Sequence, residues 1–124
     1  MAVIELTNEN FESTITDSAF VLVDFWAPWC GPCRSFAPVY EKVAGDHENI
    51  VFAKVNTEDE QQIAAHFQIR SIPTLMIFRD QVIIFSQAGA LPEGSLRDLV
   101  AKAAELDMDK VRADIAQQQE SGAA

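Results

Sequence analysis

The chain has only two cysteines, spaced as Cys30-Gly31-Pro32-Cys33. A two-residue gap lets the two sulfurs meet as a small-ring disulfide, so the pair is a candidate for thiol–disulfide chemistry. Both tryptophans and two of the five prolines crowd into the same stretch, Asp24-Phe25-Trp26-Ala27-Pro28-Trp29-Cys30-Gly31-Pro32-Cys33. Val21, Leu22, Val23, Phe25 and Trp26 surround a single acid, Asp24. That pattern reads as a buried strand carrying one costly charge. The strand stops at Ala27-Pro28 and a helical pattern starts around Pro32, so Cys30 falls at a helix N-terminus. Backbone N–H groups and the helix dipole favour a thiolate there. Pro32 suits the first turn, where its missing N–H costs nothing. Cys30 is expected at an exposed tip and Cys33 one turn inward.

The elements that must hold this stretch alternate along the chain. Val3-Ile4-Glu5-Leu6 reads as a short strand, and Asn8 as the N-cap of a helix through about Asp17, with Phe11 and Ile15 on one face. Phe20 to Trp26 is the second strand. A helix follows from about Pro32 to His47, with Phe36, Val39, Tyr40 and Val43 as its apolar stripe. Pro38 lies inside it and should kink it. Ile50 to Val55 reads as a strand, and Glu58 to Phe67 as a helix with Ile63, Ala64 and Phe67 inward. Thr74 to Phe78 and Val82 to Gln87 are strands separated only by Arg79-Asp80-Gln81, which predicts an antiparallel hairpin. Gly89 precedes a last helix from about Pro92, with Leu96, Leu99, Val100 and Ala103 inward. Strands alternating with helices, then a hairpin and a helix, predict an α/β domain with a mixed sheet and helices on both faces.

Beyond residue 106, Met108, Val111 and Ile115 keep a helical spacing. This extension is expected to pack near the edge strand, where Val82, Ile83, Ile84 and Phe85 are all apolar and one face needs cover. Gln117 to Ala124 is polar and small, and is expected to fray.

The whole chain sets bounds. Its 124 residues suit one domain, and a hydrophobic share of 48% argues for packing rather than disorder. A net charge of −10 disfavours nucleic acid and anionic membranes as partners, and reads as a solubility feature. The start, Met1-Ala2-Val3-Ile4-Glu5, has no basic segment leading an apolar run, so no signal peptide is expected. No apolar stretch approaches a membrane span. Two cysteines point to redox or metal chemistry rather than a disulfide framework.

Trp29-Cys30-Gly31-Pro32-Cys33 after a hydrophobic strand carrying Asp resembles the thioredoxin family. Lys54 in Ala53-Lys54-Val55-Asn56, Arg70-Ser71-Ile72-Pro73-Thr74 and Ala88-Gly89-Ala90 extend the resemblance over about residues 3 to 106. It implies the thioredoxin fold, a central mixed five-stranded sheet with helices on both faces. It divides the chain into a thioredoxin domain, 1–106, and a helical extension with a polar tail, 107–124. It implies that the Cys30 thiolate attacks a partner's disulfide and that Cys33 then attacks Cys30 to release the reduced partner. Asp24 becomes the buried acid that takes the Cys33 proton, with Lys54 tuning it. Ile72-Pro73 resembles the family's cis-proline loop, which faces the cysteines. Trp29, Gly31, Pro32, Ile72, Pro73, Gly89 and Ala90 would form a flat apolar docking patch, and Trp26 would pack behind the disulfide. Where the family usually has Gly this chain has Gln81, which leaves the hairpin's turn type open.

Gly31-Pro32 places no cation beside the Cys30 thiolate, so the reduced form is less favoured and electrons are given away, which argues for a reductase. No dinucleotide fingerprint is present, so no cofactor of its own is expected and an external donor is needed. The resemblance implies thioredoxin reductase, carrying NADPH electrons. It also implies clients of the ribonucleotide reductase, methionine sulfoxide reductase and peroxiredoxin types, a cytoplasmic location and a monomer. Other readings stand beside these. The cysteines could be inert, or could hold zinc, which needs about four ligands. His47 and His66 are the only histidines, far apart and expected at the surface near helix ends, so no metal site is expected. Asp24 could be a solvated strand-end acid, Lys54 a surface lysine and Trp26 plain core. In another function class, the same patch could grip a partner as a binding module without electron transfer.

Overall fold

Strand β2 (Phe20–Trp26) is buried along nearly its whole length because both its faces are covered. The computed structural model describes residues 2–122, with side chains through residue 119. Alternation along β2 sends Val21, Val23 and Phe25 into one core and Leu22 into the other. β1 (Val3–Glu5) and β3 (Val51–Asn56) run parallel to β2, while β4 (Thr74–Arg79) is antiparallel to β2 and β5 (Val82–Ala88) is antiparallel to β4. The sheet has five strands in the order β1-β3-β2-β4-β5, so the mixed α/β architecture is as expected.

Helices α2 (Gly31–Gly45) and α4 (Glu93–Glu105) cover one face through Phe36, Tyr40, Val43, Leu96, Val100 and Ala103. Arg97 of α4, held by Glu93 of the same helix at 3.1 Å, ties the two together by reaching Asp46 at the end of α2 at 2.9 Å. α2 runs on through Pro38 without interruption. The other face is covered by the short helices α1 (Phe11–Asp17) and α3 (Gln61–His66), through Phe11, Ile15, Ile63 and Phe67.

Some boundaries differ from the sequence reading for local reasons. The residue before α1 is Asn10, not Asn8. Its Oδ1 accepts from Thr7 N at 2.6 Å, which closes a turn containing Asn8 ahead of the helix. Glu58 to Glu60 stay out of α3, because Asn56 Oδ1 accepts from Glu58 N at 3.0 Å and holds an Asx turn. His47 is half-buried against Phe52, their rings 6.2 Å apart, whereas His66 is exposed as the last residue of α3.

The β4–β5 connection is a two-residue turn, Asp80-Gln81, with φ of 50° and 70°. Two left-handed residues make it a type I′ turn, which settles the point left open by Gln81. The turn is anchored by Asp80 N donating to Ala19 O at 2.8 Å. A bulge follows, because Ile77 pairs with Phe85 but Phe78 with Ile83. The extra residue, Ile84, lets Ile84 and Phe85 both lean on the α2–α4 core, which explains consecutive apolar residues on an edge strand.

The expected frayed tail is instead helix. α5 runs Met108–Gly122. Asp107 Oδ1 accepts from Asp109 N and Lys110 N, at 3.1 and 3.3 Å, and so caps its start. The Gln and Glu residues that looked like a loose tail propagate a helix well. Ala123 and Ala124 lie outside the described residues. Met108 is buried, and Arg112 pairs with Asp80 of the hairpin turn at 2.9 Å. The extension is thus tied to the turn, and it leaves Ile83 of the edge strand 46% exposed.

Candidate active site

The end of β2 delivers the chain to the N-terminus of α2. Ala27 O accepts from Cys30 N at 3.2 Å, which turns the backbone. Cys30 is the N-cap residue, in extended conformation, and its Sγ accepts from Cys33 N at 3.2 Å. Cys30 and Cys33 are joined by a disulfide, their Cα atoms 5.2 Å apart. The N–H aimed at Cys30 Sγ and the dipole of a 15-residue helix favour a thiolate there once the bond is reduced.

Cys30 is not at an exposed tip, however. It is 5% exposed, against 2% for Cys33. Trp26 and Ile72 pack over the pair, and Ile72 O lies 3.8 Å from Cys30 Sγ. The sulfur is reached past this rim rather than from open solvent.

Asp24 stands opposite Lys54 in the β2–β3 register and is 4% exposed, so it is not a solvated strand-end acid. Its Oδ1 has no hydrogen-bond partner among the described residues. Burial pushes its pKa from an ordinary 3.8 up to about 7, against the opposing pull of the Lys54 charge. Lys54 is half-buried with its Nζ 5.0 Å over the Trp26 ring, so it too is not a plain surface lysine. That stacking holds a cation over the aromatic beside the disulfide.

The Ile72–Pro73 peptide bond is cis, as the resemblance implied. Gly89 N donates to Pro73 O at 2.8 Å, which brings Gly89 and Ala90 beside this loop. Gly89 has φ of +109°, a conformation that a side chain would strain. Around the cysteines Trp29 is 65% exposed; Gly31, Pro32, Gly89 and Ala90 are exposed and Ile72 is half-buried. Pro73 departs from the expected patch. It is buried, because it leads straight into β4, where Thr74 pairs with Phe25 on one side and Ala88 on the other. Among the described residues, no three His, Cys, Asp or Glu side chains gather as a metal site would need.

Two neighbours of this site escape a reading of the sequence. The Trp29 indole N–H donates to the Glu58 carboxylate, 29 positions away. The parallel register is the available signal: Trp26 pairs with Asn56, so residues just beyond both strands emerge at one end of the sheet. Tyr40 belongs to an apolar stripe in the sequence, yet its hydroxyl bonds to the sheet.

The thioredoxin family profile matches residues 2–102. A Streptomyces coelicolor protein that carries the provisional name thioredoxin 2 is 57% identical over 116 residues, covering 94% of this chain and 87% of that protein. Thioredoxin 1 of a Nostoc species is 45% identical over 103 residues, 82% of this chain and 96% of its own. Thioredoxin of Pyropia yezoensis is 44% identical over 104 residues, 82% and 97% of the two chains. The matched span runs from β1 through most of α4 and contains the disulfide, so the chain belongs to the thioredoxin family, whose cysteine pair exchanges dithiol for disulfide with other proteins.

Proposed function

We propose that this protein is a general protein-disulfide reductase in which Cys30 is the nucleophile, Cys33 the resolving thiol and Asp24 the proton acceptor, with Lys54 tuning Asp24. The observation that carries the reading is a helix-capping disulfide on the same side of the sheet as one buried carboxylate. Cys30 thiolate attacks one sulfur of the client's disulfide. That bond breaks, a mixed disulfide forms, and the client's other sulfur leaves as a thiolate that takes a proton from water. Cys33 then gives its proton to the Asp24 carboxylate, and its sulfur attacks Cys30. The Cys30–Cys33 bond forms and the client's second thiolate leaves. Two electrons have passed to the client, and Asp24 later returns its proton to solvent. A carboxyl titrating at about 7 is well poised to accept a proton near neutral pH.

Trp29, Gly31, Pro32, Ile72, Gly89 and Ala90 give the client an apolar surface around the sulfurs, and Pro73 orients its loop from beneath. Thioredoxin reductase, with NADPH as electron source, recharges the pair. Ribonucleotide reductase, methionine sulfoxide reductase and peroxiredoxin types are its clients. The protein acts as a monomer in the cytoplasm. No helix among the described residues is long and apolar enough to cross a membrane. With thioredoxin reductase and NADPH, the protein is expected to reduce insulin disulfides catalytically. No NADPH consumption above the reductase blank would overturn the reading.

Residues 1–106 are the redox domain and 107–124 an extension whose helix α5 (Met108–Gly122) braces the hairpin turn. Removing everything after Leu106 takes away the buried Met108 and the Arg112–Asp80 pair. Stability should fall by about 2 kcal/mol, mostly from Met108, since an exposed ion pair contributes little. Equal urea midpoints for the two lengths would show that the helix is mere overhang.

A further inference from the structure

Helix α2 carries Cys33 and is capped by Cys30, so its seat on the sheet decides where Cys33 stands relative to Asp24. Most of that seat is apolar packing, which has no direction of its own. Among the described residues, one side-chain hydrogen bond joins α2 to the sheet: the Tyr40 hydroxyl donates to Ala53 O at 2.8 Å. Tyr40 is 2% exposed, and it follows Cys33 by two turns on the same helical face.

The strand geometry places this bond beside Asp24. Lys54 O accepts from Leu6 N, toward β1. Carbonyls alternate along a strand, so Ala53 O points the other way, toward β2. The hydroxyl therefore sits over the β2–β3 seam, where Val23 pairs with Ala53 and Asp24 with Lys54. Leu22 and Asp24 share a face of β2, and Leu22 packs in the same core as Tyr40. Asp24 thus rises on the side of the sheet that Tyr40 covers. Burial first, and then the Asp24 charge, pushes the Tyr40 phenol well above its ordinary range.

We propose that Tyr40 is a positioning residue for the proton transfer: its hydroxyl pins α2 to β3 and supplies a polar group beside the Asp24 pocket. This rests on the assignment of Asp24 as proton acceptor. The titratable groups on this face are Lys54 from β3, and Cys33 and Tyr40 from α2, with exposed Glu41 next to Tyr40, exposed Glu5 of β1 opposite Lys54, and half-buried His47 against Phe52. β4 places the apolar Leu75 opposite Asp24, and α4 contributes Leu96, Val100 and Ala103 to this core. Tyr40 therefore carries the one hydroxyl in this set, beside the Cys33 thiol and the buried Trp26 indole N–H, which has no hydrogen-bond partner among the described residues.

Tyr40→Phe removes the hydroxyl and keeps the ring, which packs at 5.6 Å from Phe36 and 5.3 Å from Phe52. Two readouts are needed on the wild type, Tyr40→Phe, Asp24→Asn and the double variant. One is the carbon-13 NMR titration of the Asp24 carboxyl in the reduced protein. The other is the pH dependence of glutathione release from a mixed disulfide preformed on Cys30. In Tyr40→Phe the Asp24 midpoint should move by about half a pH unit, with release at neutral pH slowed about twofold, because α2 loses its hydrogen-bonded tie to β3 and Cys33 its fixed place relative to Asp24. In the Asp24→Asn background, Tyr40→Phe should leave the pH profile unmoved. An unchanged midpoint and profile in Tyr40→Phe, with only a lower melting temperature, would make Tyr40 a structural residue and overturn the inference. That failure is separable from failure of the underlying reading, in which Asp24→Asn itself would keep the wild-type profile.

Discussion

Asp24→Asn is expected to stabilise the folded protein above neutral pH while slowing its disulfide exchange. The carboxyl's folded pKa is raised, from 3.8 to about 7, because the charged form is desolvated. The native state therefore holds its proton longer than the unfolded chain does. Below about pH 4 both states are protonated and Asp24 imposes no charge penalty. As pH rises through the window from 3.8 to about 7, the unfolded state ionises first and folding stability is lost. Above the window the loss levels off at about 4 kcal/mol, since each pH unit of its width costs about 1.4 kcal/mol. Asparagine matches the shape without the charge. Its gain should be about 3 kcal/mol at pH 8, once a small allowance is made for an amide whose partners are missing, and should vanish near pH 4. Turnover at neutral pH should fall at the same time, because Cys33 loses its proton acceptor. Urea titrations at pH 4 and pH 8, beside insulin reduction, measure both effects. A variant less stable at pH 8 and fully active would make Asp24 an ordinary structural acid. The opposite signs for stability and activity mark a group kept for its chemistry.

Asp24 was legible in the sequence because a charge inside a run of β-formers is an anomaly that local reading detects. The disulfide's place at a strand-to-helix turn was legible too, since Ala27-Pro28 stops one element and Pro32 starts the next. What escaped depends on residues brought close by the sheet. Cys30 looked exposed because part of its cover is distant in sequence: Ile72, 42 positions away, closes over it together with Trp26. Glu58 reaches Trp29 only because β2 and β3 run parallel and end together. Asn8 and Asn10 have the same capping propensity, yet the position before α1 is taken by Asn10, whose side chain is bound back to Thr7 rather than to the helix. The polar C-terminal residues read as a loose end because polarity is shared by tails and exposed helices. Asp107 decided for helix by capping the first turn. The apolar run in β5 looked like a face needing cover until the bulge at Ile84 turned two of its side chains to one core.

Cys33→Ser is expected to stop turnover and leave the client covalently attached through Cys30. The first attack needs only Cys30, whose sulfur is set at the helix N-terminus by the Cys33 N–H, a backbone donor that serine retains. The second attack needs a thiol at position 33. A well-oriented internal group acts at an effective molarity far above that of any free thiol in solution. Client release should therefore slow by about a thousandfold or more in the variant, leaving only exchange with added thiol. Non-reducing electrophoresis after mixing the reduced variant with oxidised insulin should show a mixed disulfide that dithiothreitol dissolves. Cys30→Ser should show neither turnover nor adduct, because Cys33 is 2% exposed and lacks the capping position. The pair of variants also separates electron transfer from simple gripping. A binding module working through Trp29, Gly31, Pro32 and Ala90 would hold its partner equally well with either cysteine replaced, and would form no dithiothreitol-sensitive bond. Equal retention of a partner by both variants, without an adduct, would favour that module. An adduct confined to Cys33→Ser assigns the nucleophile to Cys30 and the release step to Cys33.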